Sequence, residues 1–342
     1  MILFKTKNVS VIQTCILSLL LFVSIHLLVI ANLFSTEHSF KPPVSDFHVN
    51  IIKCDWHDPA RNRDIPVKIY YPNSEKGIFP VIIFSHGLGS NRDGYEYLGR
   101  YWAGSGYISV HLQHHGSDSE TLMSAGLLDV VSTLKESVSE ENAIHRVSDV
   151  SFAIDELMRI NAQSESPLFE KINSQAIGMA GHSYGGWTAM AVAGQRSGPK
   201  EIILTESRIK AAVAMSAPVP ASSKERDRSF MDIKIPVFIM TGTLDNCPLG
   251  ETSARERRIV YDKTTNSKTC FVTFNGANHF SFGGRALGKN DKFKSMICEG
   301  SLAFFETYLR GNMEARGWLY NGGYARSIGS KGVFEKKESS VQ

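Results

Sequence analysis

The segment Gly181-His182-Ser183-Tyr184-Gly185 stands between an apolar run over residues 176–180 and a helical pattern over residues 187–192. A serine in that setting is placed for nucleophilic attack on a carbonyl. In G-x-S-x-G the hydroxyl is carried on a strained strand-to-helix turn, and the glycines two residues to either side are needed where a Cβ would meet the neighbouring strand and helix. A serine hydroxyl is a weak nucleophile at neutral pH, so Ser183 needs a base in reach and a third group to hold that base in the right tautomer. Only His279 follows Ser183; the other ten histidines precede it. It sits in Gly276-Ala277-Asn278-His279-Phe280, just after the last apolar run, and the chain order nucleophile, acid, base makes His279 the expected base.

For the orienting acid, Asp227, Asp232, Asp245 and Asp262 lie between the two. Asp245 follows the apolar run 236–240 directly, at the sheet edge where Ser183 is expected, whereas Asp227 and Asp232 precede that run and Asp262 ends a helical pattern. Asp245 is therefore the expected acid, with Glu251 as its rival a few residues along the same loop. The oxyanion of an acyl transfer must meet donors already aimed at it, each worth roughly 3 to 4 kcal/mol. The N–H of Tyr184, directly after the nucleophile, is one expected donor. The other is the N–H of Leu88 in His86-Gly87-Leu88-Gly89, where the glycines let the backbone turn its amide inward and His86 is expected to brace the loop.

His111, Gln113, His114 and His115 crowd the end of a further apolar run. No acid accompanies them at ligand spacing and no C-x-x-C or His/Cys spacing suggests zinc, so neither a metal nor any other cofactor is expected. Gln113 or His114 is read as bonding substrate or bracing the acid loop.

These residues need a scaffold that brings several strand ends together. Short β-rich runs recur at residues 47–54, 67–71, 80–85, 107–112, 176–180, 211–215, 236–241 and 270–274. Several are continuously apolar, as expected for parallel strands covered on both faces. Helical patterns fall between them at 95–103, 147–160, 187–192, 253–261 and 291–309. That alternation predicts a doubly wound α/β sheet of eight strands, mostly parallel, with helices on both faces and the first strands paired as an antiparallel ribbon. Residues 117–146 do not fit it. Leu127, Leu128, Val131 and Leu134 have helical spacing there, and the segment is expected as a small cap over the site or as a surface helix with a packed face.

The chain has 342 residues, 42% hydrophobic and 21% charged, enough to bury a large core without metal or disulfides. Its net charge of +3 falls to +1 without Lys5 and Lys7, which gives no electrostatic case for nucleic acid. Residues 9–34 are almost wholly apolar behind those lysines, so the remainder is expected to be exported. An uncleaved single-pass anchor is preferred to a cleaved signal peptide, although Val29-Ile30-Ala31 resembles a cleavage site. The expected organisation is an anchor or signal at 1–34, a linker at 35–44, one catalytic domain at 45–335 and a polar tail at 336–342. Besides Cys15 in the apolar segment there are Cys54, Cys247, Cys270 and Cys298, which permit two disulfides in three pairings or four free thiols.

The motifs Phe84-Ser85-His86-Gly87-Leu88-Gly89, Gly181-His182-Ser183-Tyr184-Gly185-Gly186 and Asn278-His279-Phe280, with the run from Val110 to Asp118, resemble the platelet-activating-factor acetylhydrolase and dienelactone-hydrolase-like branch of the α/β-hydrolase superfamily. The resemblance spans most of residues 45–335. It implies the α/β-hydrolase fold, Ser183 as nucleophile with Asp245 and His279, and the Leu88 and Tyr184 amides as oxyanion donors. Dienelactone hydrolases use a cysteine nucleophile, so Ser183 departs from them. The expected activity is that of a serine carboxylic-ester hydrolase working through an acyl-enzyme on short-chain or lipid-like esters. The alternatives are a serine peptidase or amidase of the same fold and a non-catalytic binding module.

Overall fold

The apolar runs become the strands of a single sheet. A computed structural model describes residues 40, 46–124, 129–198, 201–249, 252–283 and 292–339 of the chain. Chain contacts separate residues Met1–Phe40 from Lys41–Gln342, and the second unit is the one described here. The apolar segment 9–34, and with it the expected anchor or signal, lies outside the described residues. Among the described residues no helix is long and apolar enough to cross a membrane.

The strands are β1 (Val49–Asp58), β2 (Arg63–Pro72), β3 (Phe79–Ser85), β4 (Ile108–Leu112), β5 (Ile172–His182), the two-residue ribbon β6 (Arg196–Ser197) and β7 (Ile202–Ile203), then β8 (Ile209–Met215), β9 (Val237–Leu244), β10 (Thr269–Asn278) and β11 (Gly332–Lys337). Nine of them form one sheet in the order β1-β2-β4-β3-β5-β8-β9-β10-β11. The pairs from β4 through β10 are parallel, while β1 with β2, β2 with β4 and β10 with β11 are antiparallel. All eight expected strands are present. The sheet nevertheless has nine strands, because Gly332–Lys337, in which no strand was expected and whose last two residues fall in the expected polar tail, pairs along β10. Only Val333 and Phe334 in it are apolar; Phe334 packs edge-on against Phe238 and Tyr324, and the remaining positions carry the charges typical of an edge strand.

Both sheet faces are covered, which is why β3 is buried at every residue. Ile83 packs in the core with Ile154 and Met190 on one face. Its neighbour Phe84 faces Trp102, which in turn meets Phe305 edge-on from the helix Lys294–Leu309. β3 has β4 on one side and β5 on the other, so the chain turns opposite ways after these two central strands and leaves a crevice beyond their carboxyl ends.

Helix starts depart most from the pattern at two places. The helix expected at 147–160 spans Glu140–Asn161, because Ser139 caps it by accepting the Asn142 amide and Glu140 and Glu141 fill its first turn. The one expected at 253–261 starts only at Arg258, since the Glu256 carboxylate takes the Ser253 amide and hydroxyl and holds that stretch in turns. Residues 119–124 and 130–137 form short helices; Leu127 and Leu128 lie outside the described residues. Cys54, Cys247, Cys270 and Cys298 are free thiols.

Four histidines are buried around the central strand ends: His86, His111, His114 and His182. Burial holds all four uncharged, lowering His111 to about 3 and His114 to about 4. In an unfolded chain the same rings take up protons near pH 6.5. Their contribution to stability is therefore complete above about pH 6.5 and is lost as pH falls toward the folded-state values. Urea unfolding should show the free energy dropping by at least about 3 kcal/mol between roughly pH 6.5 and 4.5; a flat profile there would mean these rings titrate normally. A second expectation concerns Gly185, where an added Cβ would stand 1.9 Å from the Ser85 carbonyl oxygen. Gly185→Ala should lower the unfolding free energy by about 3 kcal/mol or more, the upper end of overpacking costs, and wild-type thermal stability would contradict this.

Candidate active site

β5 ends at His182 and the helix Tyr184–Val192 begins two residues later. The turn between them puts Ser183 at φ 55° and ψ −119°, a left-handed backbone that ordinary residues avoid. Close packing enforces it. A Cβ on Gly181 would lie 2.0 Å from the Gly185 carbonyl oxygen, and one on Gly186 would lie 2.7 Å from that of Met215. Ser183 remains partly exposed at the bottom of a cleft of about 430 Å³.

His279 arrives from the other side of the sheet. β10 runs parallel to β9 until a register shift between Phe274 and Asn278, and the close approach of Gly242 to Ala277 seats this bulge. Asn278 then caps the 3₁₀ turn His279–Phe282 by accepting the Phe280 and Ser281 amides, while Ser281 Oγ accepts the Asn278 amide. The imidazole Nε2 lies 2.9 Å from Ser183 Oγ and Nδ1 lies 2.9 Å from Asp245 Oδ1. Beside the acceptor-only carboxylate, Nδ1 carries the proton and Nε2 is left to accept from the serine hydroxyl. The structure thus brings together all three residues expected to form the catalytic group.

Asp245 is fully buried at the end of β9. Its Oδ2 accepts from Thr241 Oγ1 at 2.8 Å and forms an ion pair with Arg257, whose Nε lies 2.8 Å away. Arg257 also donates to the carbonyls of Asp245, Ser216 and Ala217 and approaches His279 Nδ1 to 3.3 Å, so it ties the acid, the base and the loop after β8 together. Burial lowers its basicity. The other aspartates are engaged elsewhere, Asp227 with Lys263, Asp232 with Arg196 and Asp262 with Arg258. Glu251 lies outside the described residues.

Leu88 and Tyr184 both line the cleft next to Ser183. Tyr184 is the first residue of its helix, so its N–H has no intrahelical partner. Gly87 is already committed. Its amide donates to Tyr95 Oη at 3.3 Å, the Tyr95 hydroxyl stands 2.8 Å from His182 Nδ1, and His182 Nε2 stands 3.0 Å from the His279 carbonyl oxygen. A carbonyl can only accept, so His182 Nε2 carries the proton, Nδ1 accepts, and Tyr95 donates. Burial keeps Tyr95 protonated, raising it to about 12. This chain of bonds joins the loop after β3 to the backbone of the base.

His86, His111, Gln113 and His114 do not line the cleft. His86 Nδ1 donates to the Gly87 carbonyl at 2.7 Å and Nε2 accepts the His114 amide at 3.1 Å, which is the bracing expected of it. Gln113 or His114 was expected to bond substrate or to brace the acid loop; His114 instead has Nε2 at 2.8 Å from Ser85 Oγ and Nδ1 at 2.9 Å from Asp149 Oδ2. Gln113 bonds to Asp118 and Glu120. His111 turns away to the Gly94 carbonyl and Ser109, stacked on Phe84. Among the described residues no three His, Cys, Asp or Glu side chains converge as metal ligands. The cleft wall is largely apolar and includes Leu134 and Val138 from the 117–146 segment, together with Pro248, Leu249 and Phe280.

Tyr95, Thr241, Arg146 and Arg257 were not singled out from sequence. No motif marks them, and only the fold brings their side chains to the strand ends.

No curated protein matches the chain. The family model for platelet-activating factor acetylhydrolase, isoform II, matches residues 60–145, the stretch that contains Leu88. The PET hydrolase-like model matches residues 119–296, more than half of the chain, a range that holds Ser183, Asp245 and His279. Both families are serine carboxylic-ester hydrolases, in keeping with the nine-stranded, largely parallel sheet. The chain belongs to the PET hydrolase-like family of α/β-hydrolases and is a serine ester hydrolase.

Proposed function

We propose that Ser183 is the nucleophile, His279 the general base and acid, and Asp245 the group that orients His279 and stabilises its charged form. The observation that carries this is the pair of 2.9 Å contacts from the two nitrogens of His279 to Ser183 and Asp245. Proton transfer to Nε2 lets Ser183 Oγ add to the ester carbonyl, and the tetrahedral oxyanion is received by the amides of Leu88 and Tyr184. Its collapse expels the alcohol, protonated by His279, and leaves an acyl-enzyme that water cleaves by the same steps reversed.

The substrate class follows from the wall. A cleft of about 430 Å³ that is apolar over most of its lining favours the burial of short-chain or lipid-like acyl groups over charged ones. Among the described residues that line it no side chain carries a carboxylate to hold a free amino group, which favours esters over aminoacyl amides. We further propose that the domain works outside the cytoplasm, tethered or led there by residues 1–34; recovery of the full chain in the soluble cytoplasmic fraction would contradict that.

Ser183→Ala should lower the turnover of p-nitrophenyl acetate by a factor on the order of 10⁴ or more, because members of such a group act as a unit. Unchanged turnover would remove Ser183 from the mechanism. Asp245→Asn should cost a factor of about 10⁴ in kcat by favouring the wrong tautomer of His279, while KM changes little. Equal kcat/KM on acetyl esters and on the matching aminoacyl amides would favour the peptidase reading instead.

A further inference from the structure

A second serine, histidine and aspartate stand in the same mutual relation as the first. Ser85 Oγ is 2.8 Å from His114 Nε2, and His114 Nδ1 is 2.9 Å from Asp149 Oδ2. All three are fully buried, so no substrate reaches this serine. What reaches it is a guanidinium. Arg146, itself 0% exposed, donates from Nη2 to Ser85 Oγ at 3.0 Å and also to the His86 carbonyl. Its Nη1 donates to Ser117 Oγ at 2.7 Å and its Nε to Thr188 Oγ1 at 3.1 Å. Its planar head lies 4.4 Å from the centre of the Tyr184 ring.

The direction of every proton along this chain is fixed by its ends. Arg146 can only donate, so Ser85 Oγ accepts from it and turns its own proton to His114 Nε2, and His114 passes Nδ1–H to the carboxylate. Asp149 is held in place by Arg61 at 2.8 Å and Arg63 at 2.9 and 3.0 Å. Burial alone would raise its carboxyl, but the hydrogen bonds from His114 and Arg63 keep it well below the usual range. Burial also lowers the Arg146 guanidinium, to about 10, which leaves it charged at neutral pH.

The contacts of Arg146 fall on both arms of the proposed oxyanion site. The His86 carbonyl is one peptide before Gly87-Leu88, and the Ser117 carbonyl accepts the Gly89 amide at 3.0 Å, so the Leu88 amide is clamped from both sides. Thr188 and the Tyr184 ring belong to the helix that presents the other amide. The four hydrogen-bond partners of this buried cation are three hydroxyls and a carbonyl, none of them formally charged, an arrangement poorly suited to stability for its own sake.

We propose that Arg146 is the positioning residue for both oxyanion donors, and that the Ser85–His114–Asp149 chain is the frame that holds it to that task. The inference rests on the reading of Leu88 and Tyr184 given under "Proposed function". Arg146 touches neither substrate nor a reacting atom; it sets the distance between two amides that must meet one oxygen. A misplacement of that kind removes transition-state stabilisation and leaves ground-state binding intact.

The test is Arg146→Lys, which keeps a charge but cannot hold four partners in one plane, measured beside Ser183→Ala in the full chain. Three readouts are needed: kcat and KM on p-nitrophenyl acetate per folded molecule, the thermal midpoint, and the affinity for a methyl trifluoromethyl ketone, which forms a tetrahedral oxyanion on the serine. Positioning requires kcat to fall on the order of 100-fold, the worth of one oxyanion donor, with KM within about threefold and ketone affinity reduced by a similar factor. Wild-type kcat per folded molecule in Arg146→Lys, with Ser183→Ala inactive, would overturn the role of Arg146 alone. An active Ser183→Ala would instead overturn the site assignment beneath it. Should Arg146→Lys fail to fold, Ser117→Ala removes one of its partners without unpairing the charge from the rest. A drop in kcat of about tenfold, tracked by ketone affinity, then supports the inference, and unchanged values of both refute it.

Discussion

The geometry of the cleft depends on one close approach, that of Gly185 to the end of β3. With no Cβ at Gly185, the first turn of the helix after Ser183 rests directly on the Ser85 carbonyl, at a separation no side chain would permit. This contact fixes the strand-to-helix turn against the loop that follows β3. Gly181 and Gly186 allow the same turn to close on itself and on β8. The left-handed backbone of Ser183 follows as a consequence of packing on three sides, and its hydroxyl has one direction left, into the cleft. Everything the remaining residues do is referred to that position: His279 is brought to it by a bulge and a capped 3₁₀ turn, and Asp245 by the end of the neighbouring strand.

The two serine, histidine and aspartate arrays show how burial decides what such a geometry does. Their distances agree to about a tenth of an ångström. Around Ser183 the acceptor nitrogen faces a hydroxyl that is open to the cleft, so in the proposed mechanism a proton accepted there is exchanged for a new bond. Around Ser85 the hydroxyl has a guanidinium on its other side, and the same nitrogen only fixes a hydrogen-bond direction. The first array is suited to moving a proton and the second to holding a loop still. The Tyr95–His182 chain serves a like purpose between the Gly87 amide and the His279 carbonyl, which gives the residue before the serine in the G-x-S-x-G pattern a part of its own.

Most of this scaffold was legible in the chain because parallel strands covered on both faces have to be apolar throughout, and their ends can be counted. That argument is what singled out Asp245, at the end of such a run, whereas Ser183 was marked by the G-x-S-x-G pattern and His279 by being the one histidine after it. It failed where burial and polarity part company. β11 has two apolar residues, a glycine and three charged residues, which is what an edge strand can tolerate but too little apolar pattern to read as a strand from sequence. The helix of Arg146 was expected to begin one residue after it, because the apolar spacing weakens over the polar first turns that Ser139 caps. Arg146 and Arg257 were missed for a related reason. A lone arginine usually marks solvent, and only tertiary contact with serine hydroxyls, carbonyls or a carboxylate makes burial of the charge tolerable. His114 was noticed, but its partners Ser85 and Asp149 were not, since sequence order does not show that β4 lies beside β3.

Because two serines share one local geometry, the site of covalent modification separates them most directly. After treatment of the folded chain with a fluorophosphonate, peptide mapping by mass spectrometry should find a single adduct, on Ser183 in the peptide that contains Gly181 to Gly186, with Ser85 unmodified. An adduct on Ser85 or on another serine, or none at all on folded protein, would contradict the assignment of Ser183 as the nucleophile.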